Sequence, residues 1–220
     1  MGDVASKEGR TVLFVSHNMA AIENLCSRSM VFNSGRLEQQ GETKTVIEGY
    51  LVKVLPPTAK NETLLNLKDR TGNKKVLLSD FFLEDKSGNR VETIRSGMDV
   101  NLVFCLQNNS KALLKKIDIG FSIQTNLEAL LFVSYSSYTS QVFDLSEPSG
   151  AFRCRINNLP LSPGRYRVGA RVLVNGEEAD WPRGCVGYLD VEPGDFYGSG
   201  KMGFSGHAPF MIRGDWKETL

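Results

Sequence analysis

Histidine and cysteine are scarce in this chain, and the few present are scattered. Among 220 residues there are two histidines, His17 and His207, and four cysteines, Cys26, Cys105, Cys154 and Cys185. No Cys-x-x-Cys pair occurs, so a zinc site is not expected, and a reduced, cytosolic setting is. There is no Gly-x-Ser-x-Gly elbow, and two distant histidines argue against a hydrolytic triad. A Gly-x-x-x-x-Gly-Lys-Ser/Thr phosphate loop is missing as well; Gly200-Lys201-Met202 has neither its spacing nor its hydroxyl. Charge of one sign is not in excess: 26 basic against 25 acidic residues leave a net charge of +1, which gives no field for nucleic acid or anionic membrane. No run approaches the roughly 18 apolar residues of a membrane span, and the first residues, MGDVASKEGR, lack the apolar core of a signal peptide. These absences predict a soluble chain with no metal, no nucleic-acid partner and no cofactor of its own. At 41% hydrophobic and 23% charged, its composition is ordinary for one or two domains with a proper core.

What is present divides by period. The first part, 1–55, reads as a short α/β fragment. Thr11–Val15 is a β-branched run suited to a buried strand, ending at Ser16-His17-Asn18. Met19, Ile22 and Cys26 then share a helical face that Asn18 can cap. Strands are expected at Ser29–Phe32 and Arg36–Gln39 around an Asn33-Ser34-Gly35 turn. A helix from Thr43 carries Val46, Ile47, Tyr50, Leu51 and Val54 on one stripe and ends at Pro56-Pro57. Residues 56–75 are polar and read as a linker, although Leu64-Leu65-Asn66-Leu67 is apolar enough to dock.

From residue 76 to 220 the period is two. Strands are predicted over Val76–Asp85, Val91–Ile94, Asp99–Gln107, Ile117–Thr125, Leu130–Ser134, Ala151–Asn157, Gly164–Val174 and Cys185–Val191. Turn signals such as Ser87-Gly88-Asn89 and Asn175-Gly176 separate them. The fold class is therefore mainly β: an antiparallel, immunoglobulin-like β-sandwich preceded by a short α/β fragment. Alternation aims Phe152, Cys154 and Ile156 inward and Arg153 and Arg155 outward. In Gly164–Val174 it aims Tyr166, Val168, Ala170, Val172 and Val174 inward, with Arg165, Arg167 and Arg171 outside. Those arginines would form a basic stripe if their strands paired; cross-strand ion pairs on a solvated face are the favoured reading. Pro163-Gly164-Arg165-Tyr166 looks like the tyrosine corner of Greek-key sandwiches, a structural role for Tyr166.

Val15-Ser16-His17-Asn18, Leu25-Cys26-Ser27-Arg28 and Gly35-Arg36 before Gly41 resemble the C-terminal end of an ABC-transporter ATP-binding domain. By that resemblance His17 is the switch histidine that reaches the γ-phosphate of ATP. With the phosphate loop, the acidic strand end and the signature loop missing, it has no nucleotide to sense here. The order of features in the β part resembles the carbohydrate-binding domain of Wzt-type ATP-binding subunits of polysaccharide exporters. The residues are Val76–Asp85 with Gly97, Leu161 to Tyr166, Asp180-Trp181, Phe196 to Gly200, Gly206 and Trp216. The resemblance implies recognition of an exported O-antigen-type glycan through its terminal sugar or modification. It also implies a transmembrane permease partner, a homodimer, and a place on the cytoplasmic face of the inner membrane. ATP and Mg belong to full-length members.

Sugar binding needs an aromatic platform beside planar polar groups. Phe132–Gln141 reads as a loop offering Tyr135 and Tyr138, and Asn175–Arg183 as a hairpin-end loop offering Asp180, Trp181 and Arg183. These five are the candidate carbohydrate-binding residues. Trp181 reads equally as a plug at the sandwich edge, and Phe82 is a weaker site candidate. Glu177, Glu178 and Asp180 could suggest a glycosidase, but neighbours on one turn rarely flank a bond from both sides. Two other readings stay open: a carbohydrate-active enzyme on a sandwich, and a structural dimerisation sandwich. Arg213-Gly214-Asp215 is taken as chance, and Phe196–Leu220 as a loop feeding a last edge strand.

Overall fold

The computed structural model describes residues 11–16, 19–54, 64–201 and 208–218. They fall into two compact units: residues 11–54 with 126–129, and residues 64–125 with 130–218. His17, Asn18 and the Pro56-Pro57 helix stop lie outside the described residues, as does His207.

In the first unit, α1 (Met19–Leu25) leads to a hairpin of β1 (Arg28–Asn33) and β2 (Arg36–Glu42), then α2 (Thr43–Val54). The hairpin turns at Ser34 and Gly35, both with positive φ (49° and 78°), the backbone a two-residue type I′ turn requires. Val46 and Ile47 of α2 are buried, and Thr43 closes the corner with its hydroxyl 2.9 Å from that of Ser29. The expected strand at Thr11–Val15 is not formed. Leu13 and Val15 are 83% and 97% exposed. An apolar run of that kind becomes a strand only between neighbours that bury both faces. Among the described residues this unit has only the β1–β2 hairpin as sheet.

The second unit is a β-sandwich. Its small sheet runs β11 (Ser149–Ile156), β7 (Val100–Asn108), β4 (Val76–Glu84), β5 (Arg90–Val91). The large sheet is built on β8 (Leu114–Thr125) and β12 (Gly164–Val174), paired from Tyr166–Thr125 to Val174–Ile117. Two short strands share each outer side of that pair. β9 (Leu130–Tyr135) and β10 (Phe143–Leu145) flank β8. β13 (Glu177–Pro182) and β14 (Gly187–Glu192) flank β12. β3 (Arg70–Thr71) extends β13, and β6 (Thr93–Arg95) runs parallel to β14, the exception in an otherwise antiparallel set.

Period-two burial fixes the core. Val168, Ala170, Val172 and Val174 of β12 and Ile117, Ile119, Phe121 and Ile123 of β8 face Leu102, Phe104 and Leu106 of β7. Phe104 lies between Phe81 and Phe121, with ring centroids 5.2 and 5.8 Å away, and so ties one sheet to the other. The Tyr166 hydroxyl donates to the Ser162 carbonyl at 2.8 Å, which is the corner expected from its sequence. A register shift between Leu78 and Asp80 lets β4 bury Leu78 and Phe81 alike, so Phe82 turns outward under the Arg90 guanidinium, 4.4 Å away.

β11 and β12 lie in different sheets, so no single arginine stripe forms, and the favoured reading of ion pairs on a solvated face is met: Arg153 pairs with Glu84, Arg155 with Asp99, Arg165 with Asp190 and Arg171 with Glu178. Two sequence expectations are corrected. Residues 64–75 are part of the sandwich rather than linker: a 3-10 turn at Leu64–Asn66 packs Leu64 on the core and β3 joins the sheet. Among the described residues the tail makes one bridge, Leu161 to Phe210, and no strand. Within it Arg213 Nη2 donates to the Phe196 carbonyl at 2.7 Å.

Candidate functional site

The stretch Asn175–Arg183, read as a loop, is mostly strand β13, and a bulge decides what it presents. Val172 pairs with Asp180 but Leu173 with Glu178, leaving Ala179 as the extra residue. Glu178 and Asp180 would share a face in an unbroken strand. The bulge sends them to opposite faces. Asp180 goes into the core, fully buried, where its Oδ2 accepts from the Leu78 N–H at 2.7 Å and its Oδ1 lies 3.4 Å from Arg70 Nε. Burial pushes the Asp180 carboxyl above its usual range, against the opposing pull of the Leu78 N–H and Arg70. Asp180, expected at the sugar site, is therefore a core residue.

Glu178 and Trp181 lie on the outer face of the large sheet. Arg171, outward between buried Ala170 and Val172, reaches Glu178 Oε2 with Nε and Nη2 at 2.9 and 2.7 Å. The other Glu178 oxygen accepts from the Thr71 hydroxyl at 2.6 Å. The Thr71 bond, followed by the Arg171 charge, holds the Glu178 carboxyl below its usual range despite some desolvation. Burial works against the Arg171 charge, but bonds to Tyr135 and Glu178 outweigh it and raise its pKa. Arg171 and Arg183 both lie against the Trp181 ring, with guanidinium carbons 4.7 and 3.6 Å from it.

Tyr135 completes this face. Gly120 points outward between buried Ile119 and Phe121, and the Tyr135 ring occupies the space a Cβ there would need. Tyr138, in the 3-10 turn Ser136–Thr139, packs its ring 5.4 Å from that of Tyr135 and is 69% exposed. Asp118 anchors the turn by accepting from Ser136 Oγ, Ser137 N and Ser137 Oγ at 2.7–3.0 Å. The face therefore runs Tyr138, Tyr135, Arg171, Trp181, Arg183. Four of the five expected residues come together; sequence reasoning put Arg171 on the outside but missed its place at the centre. Its outward position in the β12 alternation was the available signal.

A second hollow adjoins Tyr135. A cleft of about 890 Å³ opens between β11 and the β9 and β10 edge, walled by Phe104, Phe121, Phe132, Phe143, Phe152 and Phe210, with Ser134, Gln141, Arg155 and Asn157 among its polar groups. Sequence reasoning placed Phe132, Ser134 and Gln141 in one candidate loop but had no signal that would bring them beside Phe152 and Phe210.

With this geometry in place, comparison with known proteins is decisive for kinship. The family model of the Wzt C-terminal domain matches residues 68–186, more than half of the chain. The chain belongs to the Wzt C-terminal domain family. The crystal structure titled as the C-terminal domain of wzt superposes with a TM-score of 0.54 at 11% identity, covering 68% of this chain and 87% of that one. That likeness establishes a shared sandwich. Two curated relatives match over 44 residues at 43% identity: "Teichoic acids export ATP-binding protein TagH" of Lactiplantibacillus plantarum and "O-antigen export system ATP-binding protein RfbB" of Klebsiella pneumoniae. Each match covers 20% of this chain but only 12% and 18% of the respective relative. The resemblance to Wzt-type export subunits, read from residues alone, is thereby met by the family and by these relatives.

Proposed function

We propose that this Wzt C-terminal domain reads the polysaccharide exported by an ABC transporter, an O-antigen-type glycan recognised at its terminal sugar or modification. The observation that carries the reading is the outer face of the large sheet, where Tyr138, Tyr135 and Trp181 alternate with Arg171 and Arg183. Aromatic rings offer flat apolar surface to sugar C–H groups, and guanidinium edges offer fixed donors to hydroxyls and acids. The relatives, ATP-binding proteins for export of O-antigen and teichoic acids, support a polymeric surface glycan as ligand. In this reading the chain works within a full-length subunit that binds ATP and Mg, pairs as a homodimer and docks a transmembrane permease from the cytoplasmic face of the inner membrane. Glycan binding here licenses export, and the domain itself does no chemistry. Glu178 and Asp180 cannot act as a hydrolytic pair from opposite faces of β13, one of them buried against Arg70.

Calorimetric titration of the whole chain with purified O-antigen polysaccharides tests this. Trp181→Ala and Tyr135→Ala should each weaken binding by about tenfold or more, as truncation of a central aromatic does. Gln141→Ala, in the cleft, should leave it unchanged. Binding that survives both aromatic changes, or that fails only with Gln141→Ala, refutes the outer face as the site.

A further inference from the structure

Resting on that reading, the charges around Trp181 sharpen what kind of glycan is taken. Arg171 is paired: two of its nitrogens hold Glu178, and it is also bonded to Tyr135. Glu178 accepts in turn from both Arg171 and Thr71. Arg183 differs. Its backbone N–H donates to the Asp69 carbonyl at 3.0 Å, which fixes where the residue starts. Its guanidinium lies 3.6 Å from the Trp181 ring, exposed, and among the described residues no carboxylate lies within ion-pair distance of it. The group is therefore held by stacking beside an aromatic platform, with no ion pair of its own among the described residues and Glu178 acting on its charge only from beyond ion-pair distance.

We infer that this face selects an acidic glycan, and that Arg183 is the specificity-determining residue that holds a carboxylate or phosphate on it. A planar guanidinium binds either anion with two parallel N–H donors, which a hydroxyl cannot reciprocate with charge. Stacking on Trp181 removes most of the side-chain freedom that such binding would otherwise cost. A neutral sugar would use the rings but leave Arg183 solvated, so the discrimination resides in one residue.

The experiment titrates the whole chain with oligogalacturonate and its methyl ester, and with a phosphorylated mannan oligosaccharide and its dephosphorylated form. At least one acidic probe should bind roughly 10- to 100-fold more tightly than its neutral counterpart, the range expected of a charge-assisted hydrogen-bonded pair. Which of the two binds separates a carboxylate from a phosphate ligand. Arg183→Gln should abolish the difference, and its melting temperature should match that of the native chain because the side chain is exposed. Equal binding of acidic and neutral probes, or an equal loss of both on Arg183→Gln, overturns the acidic preference alone. Binding of none of the four probes overturns the preference together with glycan recognition at this face.

Discussion

Arg70–Asp180 and Arg171–Glu178 stand on opposite faces of the same strand, one pair dry and one wet. Their side chains are 4% and 0% exposed in the first pair, and 36% and 23% exposed in the second. The dry pair binds the segment that enters the sandwich to its interior. Arg70 Nη2 donates to the Leu64 and Leu78 carbonyls at 3.1 and 3.3 Å, and Asp180 takes the Leu78 N–H. The wet pair orders a surface, aligning Arg171 between Tyr135 and Trp181. One carboxylate is a structural acceptor and the other a positioning group, and the bulge at Ala179 is what separates the two roles.

The largest expected effect breaks the dry pair. Arg70→Met leaves Asp180 without its cation in a water-free site and should cost about 3–5 kcal/mol, read from urea unfolding. Replacing both partners, Arg70→Met with Asp180→Leu, should recover part of that loss. It leaves the Leu78 N–H without its acceptor, at a cost of about 1–3 kcal/mol, and, like the single variant, takes the Arg70 donor from the Leu64 and Leu78 carbonyls. A double variant no more stable than the single would mean that Arg70 acts through its carbonyl bonds rather than through charge.

Titration should separate the pairs by sign. The Asp180 carboxyl is raised above 3.8 by burial, so the folded chain keeps this proton to higher pH than the unfolded chain does. Its contribution to stability is complete below about 3.8 and is lost as pH rises through the raised folded value. The Glu178 carboxyl is lowered from 4.5, chiefly by Thr71, so its contribution is present above 4.5 and lost as pH falls through the lowered value. Urea midpoints measured across this acid range for Asp180→Asn and Glu178→Gln should therefore diverge from the native curve in opposite directions. Parallel curves would dissolve the distinction between dry and wet.

The strands on either side of this contrast were unequally legible in the sequence. Gly164–Val174 was readable to the residue, because five apolar side chains alternate without a break and the corner tyrosine marks its start. β13 was not, since Glu-Glu-Ala-Asp-Trp-Pro carries no alternation and its inward carboxylate is satisfied by partners far away in the chain. β3 is two residues long and exists only because β13 offers it an edge. Thr11–Val15 shows the converse, a strong local strand signal with no partner strand among the described residues. Four of the five candidate residues share one face because aromatic and planar polar groups cluster near the strand ends. Asp180 was misplaced because a bulge has no composition signature.

Glu178→Gln should have the smallest effect on stability, at most about 1 kcal/mol, since an exposed ion pair gains little over solvent. Its effect on binding should run the other way. Glutamine can keep its one carbonyl oxygen on Arg171 and turn its NH2 to donate to the Thr71 hydroxyl, so the alignment of Arg171 is retained while the negative charge beside it disappears. The face then presents two uncompensated guanidiniums, Arg171 and Arg183, on either flank of the Trp181 contact network. Affinity for an acidic oligosaccharide should rise several-fold, and the gain should shrink with added salt because these charges are exposed. Neutral oligosaccharides should bind as before. A fall in acidic affinity would mean that Glu178 holds Arg171 in the only orientation the glycan accepts, making geometry rather than charge the wet pair's contribution.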